Sequence, residues 1–375
     1  MLRRIYAMAW KESLHIIRDF RTLYIAFVIP IFLILLFGYA VNFDIDHIQT
    51  GICDQDRSME SREFISRLQA GGWFEVKTLT SEPDEIQKAL QGGRIRIGLF
   101  IPSGFHKQIS RGETAQIGAV LDGSDSGSAN SGYNYLQLFF NEYKFSILRK
   151  SFQQYGLHPP AVPEIKPRIL FNPELKSRYY MLPGIIVLIT AIMSAMLTSL
   201  TAAKEWERGT MEQLISTPVR PHEIILGKII PYTAISMMQS LISASAAVWI
   251  FELPFEGRIA DLLITNFFFS IGALGIGITI SSVLKSQLPA IQVSLIASML
   301  PSLFFSNFVF PIDSMPLPLR ILSGIVPAKY FLLMLRTIFL KGTGFSAYYP
   351  EFIFLTVFCF IILAAASRNT PKRIL

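Results

Sequence analysis

Charged side chains are scarce in this chain. Only 16% of its 375 residues are Asp, Glu, Lys or Arg, against about 25% in a soluble domain. Hydrophobic residues make up 51%, and the mean hydropathy is +0.43. That balance excludes an ordinary soluble protein and points to a polytopic membrane protein. The formal charge of +7 does not signal nucleic acid, which needs a clustered basic face. Here Lys and Arg sit mainly at the ends of hydrophobic runs. Cysteine is nearly absent: Cys53 and Cys359 lie in dissimilar surroundings, with no CxxC and no Cys/His cluster, so neither zinc nor dithiol chemistry is indicated. His47, His106 and His158 are scattered, and no nucleophile elbow occurs. A G-x-x-x-x-G-K-[ST] phosphate loop is missing too, so the chain has no P-loop of its own for ATP. Finally, the hydrophobic runs lack the midplane carboxylates of ion-coupled carriers. Any pumping must draw its energy from another polypeptide.

What is present begins with six runs near the roughly 20 residues needed to span a bilayer. They are Leu23–Val41, Met181–Ala203, Ile229–Phe251, Leu262–Leu284, Leu288–Ile312 and the shorter Phe352–Ala366, extendable back through Tyr348 and Tyr349. Small residues at Gly38-Tyr39-Ala40 resemble a cleavage site, but the apolar core is too long for a signal peptide, so an uncleaved first helix is expected. Residues 3–20 read as an amphipathic helix lying in the membrane interface. Arg4, Lys11, His15 and Arg18 share one sector, opposite Tyr6, Trp10, Ile17 and Phe20. Basic residues precede run one, fill the loop between runs two and three, and follow run six. By the positive-inside rule both termini face the cytoplasm and the 42–180 loop lies outside.

One segment resists. Ile321–Leu340 is nearly apolar enough to span but contains Lys329 and Arg336, and a charge at mid-bilayer costs at least about 2.5 kcal/mol. Residues 311–345 are therefore expected to form an external re-entrant or interfacial helical pair, punctuated by Pro311, Pro316, Pro318 and Pro327. Residues 42–180 alternate strand-like and helix-like stretches, which predicts an inserted external α/β domain with a largely parallel sheet. Its Asp122–Ser128 loop lacks EF-hand spacing and is expected to be structural, capping a long helix from about Ser128. A Pro-rich connector, 159–167, leads back to the membrane.

The remaining signal is Lys204–Pro218, a charged stretch between runs two and three. Thr210 and Gln213 fit a capping box, which predicts a short polar helix suited to docking. This stretch, Glu-Arg-Gly-Thr-x-Glu-Gln-Leu-x-x-Thr-Pro-Val-Arg-Pro at 207–221, resembles that of ABC-2 type ABC-transporter permeases. So do Lys11-Glu12 with Arg18–Arg21, and Phe310–Pro316 with Val326–Phe331. The resemblance covers essentially the whole chain. It implies six membrane helices in a bacterial inner membrane, divided as interface helix 1–22, first span 23–41, external domain 42–180 and membrane domain 181–375. A coupling helix within 204–221 would be received by a separate ATPase carrying ATP and Mg2+. Glu205, Glu207, Arg208, Gly209, Thr210, Glu212, Gln213, Leu214, Thr217 and Pro218 are the expected coupling residues, flanked by Arg4, Lys11 and Arg18. Pro311, Pro316, Pro327 and Tyr330 are the expected outer gate. A second permease copy and a periplasmic adaptor are further implied partners, for export of a hydrophobic or amphiphilic, drug-like or lipid-like substrate. The alternative from the residues alone is a membrane-anchored sensor or scaffold whose external domain binds a ligand.

Overall fold

The computed structural model describes residues 1–40, 47–124, 126–154, 170–172, 176–217 and 219–369. Two compact units result, one of residues 1–42 with 169–375 and the other of residues 43–168.

The first unit opens with α1 (Leu2–Arg18) and α2 (Phe20–Ala40). Asp19 ends the first and caps the second: its Oδ1 accepts from Thr22 N at 3.4 Å, the usual task of a helix N-cap carboxylate. Phe20 thus belongs to α2 rather than to the amphipathic helix. Two features set α1 apart. Ile5, Met8, Ala9, Glu12 and Ile16 are buried, at the i, i+3, i+4 spacing of a packed face. Tyr6, Trp10 and Ile17 remain exposed, with the Tyr6 and Trp10 rings stacked at 6.4 Å.

The second unit runs β1 (Ile48–Asp54), α3 (Met59–Ala70), β2 (Phe74–Thr80), α4 (Pro83–Gln91), β3 (Ile97–Ile101), α5 (Phe105–Ser110), β4 (Gly118–Leu121) and α6 (Ser126–Gln154). The sheet order is β2-β1-β3-β4. β1 pairs parallel with both β2 and β3, whereas β4 closes antiparallel on β3. Ile48 and Ile52 of β1 join Phe64 and Leu68 of α3 and Phe139 and Tyr143 of α6 in one core. Cys53 joins Ile86, Ala89 and Ile95 in another. Gly51 packs closely against this second cluster, and a Cβ there would lie 2.5 Å from Ile95 Cδ1 and 2.9 Å from Ile86 Cδ1. Ser58 caps α3 by accepting from Ser61 N at 3.1 Å. Asp122 holds Arg96 at 2.8 Å and the Ser124 N–H at 3.0 Å, so its carboxylate is taken up structurally. Asp125 and the 159–167 connector lie outside the described residues.

The first unit resumes with α7 (Ser177–Glu207), α8 (Thr210–Ile215), α9 (Pro221–Trp249), α10 (Ile259–Leu284) and α11 (Gln287–Phe304). It closes with α12 (Leu317–Ser323), α13 (Pro327–Arg336) and α14 (Tyr349–Asn369). Among the described residues six single helices are long and apolar enough to cross a membrane, α2, α7, α9, α10, α11 and α14. The bent pair of α12 with the helix from α13 would make a seventh if it were one span. The internal prolines of the six, Pro30, Pro183, Pro231 and Pro301, suit membrane helices, whose neighbours re-satisfy the freed backbone. α7 is the hub, with 83% of its most apolar window buried against 22% for α2 and for α11. Polar side chains pair inside: Ser194 Oγ lies 2.6 Å from Ser236 Oγ, which donates to Ser270 Oγ at 2.9 Å.

The fifth span is shorter than the apolar run predicts, ending at Phe304 rather than Ile312. Asn307 adopts a left-handed φ of 66°, its Oδ1 accepts from Ile312 N at 3.3 Å, and Pro311 cannot extend a helix.

Candidate coupling site

Glu205-Trp206-Glu207 continue α7 past its apolar stretch, so the charged segment is not one separate helix. Arg208 caps α7, and Gly209 follows at φ 68°, a left-handed conformation that glycine adopts without strain. α8 then makes little more than one turn. The expected Thr210–Gln213 capping box does not form. Thr210 Oγ1 instead donates back to Glu205 O at 3.2 Å, so Thr210 closes the preceding helix. The carboxylate cap lies further on, where Arg220 N donates to Glu223 Oε2 at 2.9 Å at the start of α9.

Around Glu205 four charges cluster. Lys11 Nζ lies 2.6 Å from Glu205 Oε1 and 3.2 Å from Glu12 Oε1. Lys228 Nζ lies 2.5 Å from Glu205 Oε2 and 3.1 Å from Glu12 Oε1. Glu12 and Lys228 are only 2% and 3% exposed. Two carboxylates and two ammonium groups neutralise one another, as burial demands, and so bind α1, α7 and α9 together. Burial alone would lower the Lys11 ammonium pKa, but the Glu12 and Glu205 carboxylates hold it above the usual lysine range. A second pair, Lys204–Asp19 at 3.4 Å, ties α7 to the α1–α2 corner. Burial pulls the Asp19 carboxyl up, yet hydrogen bonds from Thr22 and the Lys204 charge outweigh it and hold the pKa low. Arg4 reaches Glu223 at 3.7 Å, whereas Arg18 makes no ion pair among the described residues.

Glu207 turns the other way. Its Oε1 accepts from Gln287 N at 2.7 Å and from Ser286 Oγ at 2.9 Å, and Gln287 Nε2 also bonds Oε2. Beside it, Lys285 Nζ sits 4.9 Å from the centre of the Trp206 ring. Met211 is the anchor of α8, buried with Met8 and Ile224 and backed by Trp206 and Leu214.

Glu207 is exposed although its carboxylate is held, and Arg208, Thr210, Glu212, Gln213, Ser216 and Thr217 are exposed as well. The Arg208, Glu212 and Gln213 side chains have no polar partner among the described residues. Arg208 and Gln213, with Thr210 and Thr217, border a cavity of about 450 Å3 that α1 shares through Lys11, Glu12 and His15. Pro218 lies outside the described residues.

The expected outer-gate residues fall elsewhere. Pro311 precedes a single 3-10 turn, Ile312–Ser314, Pro316 precedes α12, and Pro327 opens α13. α12 and the helix continuing from α13 are bent by 74° across their break. Tyr330 Oη donates to Gly324 O at 2.7 Å across that break, and its ring stacks on Phe354 at 3.8 Å. Arg336 lies 3.7 Å above the Tyr180 ring. Phe331, Leu332, Met334 and Leu335 of α13 are buried, whereas Leu317, Ile321, Leu322 and Ile325 on α12 and at the break stay exposed.

The family model for ABC-2 family transporter proteins matches residues 20–368. The chain belongs to that family. Over 99% of its length it is 32% identical to the probable multidrug ABC transporter permease YbhS of Escherichia coli, covering 98% of that relative. YbhR of the same organism, also a probable multidrug ABC transporter permease, is 28% identical over 92% of each chain. The inner membrane transport permease YhhJ is 24% identical over 80% of this chain and 79% of its own. The match takes in both units, so this ABC-2 permease carries the α/β insertion within the family's own length. Two participants escaped sequence reasoning: Lys228, which counts there only among the basic residues between runs two and three, and Gln287. Glu12 had a signal, because it occupies the apolar i, i+3, i+4, i+7 ladder of α1.

Proposed function

We propose that this chain is the permease subunit of an ATP-driven exporter, forming the membrane path for a hydrophobic or amphiphilic substrate. A separate ATPase subunit, with its ATP and Mg2+, docks on the exposed face of α8 and beside α1. The observation that carries this reading is the contrast within one short segment. Charges at 204–207 are consumed by internal pairs, while Arg208, Glu212, Gln213 and Thr217 are left outward on and beside α8, a helix too short to stand alone.

In this reading both termini are cytoplasmic, the α/β unit lies outside, and two permease copies assemble. Pro311, Pro316, Pro327 and Tyr330 belong to an outer gate at the bent α12–α13 pair. The exposed Tyr6–Trp10 pair of α1 rests in the bilayer interface, where aromatic rings are favoured. The names of the relatives support drug-like export, and a periplasmic adaptor is the partner proposed for the α/β unit. Affinity capture of the full chain in mild detergent is expected to bring down an ABC ATPase whose turnover the permease stimulates in proteoliposomes. Capture without any ATPase, together with a ligand-dependent response of the α/β unit, would favour the sensor or scaffold instead.

A further inference from the structure

We infer that Glu207 is a positioning residue that hands movement of α8 to α11, rather than a contact for the ATPase. The inference rests on the coupling reading above and assigns one of its residues a different task.

α10 and α11 are joined by only Lys285 and Ser286, so the end of one lies beside the start of the other at a tight hairpin tip. Lys285 takes a left-handed φ of 53° at its tip. The first N–H groups of any helix lack intrahelical acceptors, and its N-terminus favours negative charge. Ser286, the N-cap of α11, makes no side-chain cap of its own. Glu207 supplies one from another helix, accepting from the Gln287 N–H and the Ser286 hydroxyl through one oxygen. The Gln287 amide side chain holds the other oxygen. Trp206 adds the Lys285 ammonium over its ring. The hairpin tip is thereby gripped by two consecutive residues of α7.

Two residues before Glu207, Glu205 holds α1 and α9; two residues after it, the Gly209 joint leads to α8. A displacement of α8 reaches the last turn of α7 first, and from there Glu207 offers the direct polar route to the start of α11. α11 already lies against α7 along the membrane, so the clamp is not needed to bring the two together. Its value is directional: it makes the end of α7 and the start of α11 move as one. A carboxylate bound by three donors is also a poor docking group, since a partner would have to break those bonds first.

The test uses the full transporter with its captured ATPase in proteoliposomes. Glu207→Ala is expected to keep ATPase capture and hydrolysis near wild type, while transport per ATP falls about 2- to 30-fold, the usual range of coupling along such networks. Glu207→Gln, which keeps an acceptor for the Gln287 N–H, is expected to fall between the two. A Glu207→Cys/Ser286→Cys pair joined by a short bifunctional thiol reagent is expected to regain the lost coupling. Cleaving the reagent should remove it again. The native Cys53 and Cys359 are buried and do not compete for the reagent. A merely structural role would not follow the cross-link in this reversible way. Loss of ATPase capture in Glu207→Ala overturns the inference and makes Glu207 a docking residue. Unchanged transport per ATP overturns it as well, as does a formed cross-link that restores nothing. If the wild-type chain itself neither captures nor stimulates an ATPase, the coupling reading fails, and that result is visible without any variant.

Discussion

The last turn of α7 and the short helix α8 are neighbours with similar composition, yet they face opposite demands. From Lys204 to Glu207 each charge meets a partner inside the unit: Asp19, Lys11 and Lys228, or the α10–α11 tip. From Arg208 to Thr217 the charged side chains look outward, and Met211 is the anchor. A charged loop between two spans is therefore two devices in series, a fastening and a face. The difference teaches that charge in such a loop does not by itself mark a docking surface. Only the charges left over after internal pairing are available to a partner.

That contrast is breakable at several points. The largest effect belongs to the fastening: Lys228→Met leaves Glu12 and Glu205 in a buried site short of one counter-charge. It is expected to destabilise the protein by about 3–5 kcal/mol, read as an earlier loss of the monodisperse peak on heating in detergent. A wild-type melting profile would remove the fastening from the comparison. Next comes the joint. Gly209→Ala forces a side chain into the left-handed region at a cost of about 1–2 kcal/mol, with weaker ATPase stimulation as the second readout. On the face, Arg208→Glu should leave the melting profile unchanged and abolish ATPase capture; retained capture would move the docking surface elsewhere. Lys285→Gln, which removes an exposed cation over Trp206, should cost only about 0.5–1 kcal/mol.

The smallest effect is with pH. The raised Lys11 pKa gives stability that is complete below the unfolded value of about 10.4 and fades as pH rises through the folded value. The lowered Asp19 pKa gives stability present above about 3.9 and lost as pH falls through the folded value. Thermal stability should therefore be flat between those limits and decline outside them. A step near neutrality would show that other groups govern the fastening.

Much of this architecture is legible in the sequence because a bilayer imposes a length. Five of the six helices match their apolar runs closely, and the strand–helix alternation of residues 48–121 gives the sheet's elements almost in place. The antiparallel β4 is less legible, since a strand's direction depends on the path between strands rather than on its composition. The excess length assigned to the fifth span has a similar cause: residues 305–312 are apolar, and only the Asn307 conformation and Pro311 mark the bend. At the candidate site, the expected positions are adjacent in space but split in role. Hydropathy cannot separate Glu205 and Glu207 from Glu212, because their partners Lys228 and Gln287 are distant in sequence. Glu12 was the readable exception, a charge set in an apolar ladder.

The buried pair of Glu12 and Lys228 also sets an order of events during synthesis. The two residues are 216 positions apart. At about 5–20 residues per second, Glu12 emerges roughly 10 to 40 s before the ammonium that accompanies it in the finished core. Until then its carboxylate must stay hydrated, and α1 cannot settle into its final seat. The first helix made is thus among the last to be locked, and its locking certifies that α7 and α9 have both arrived.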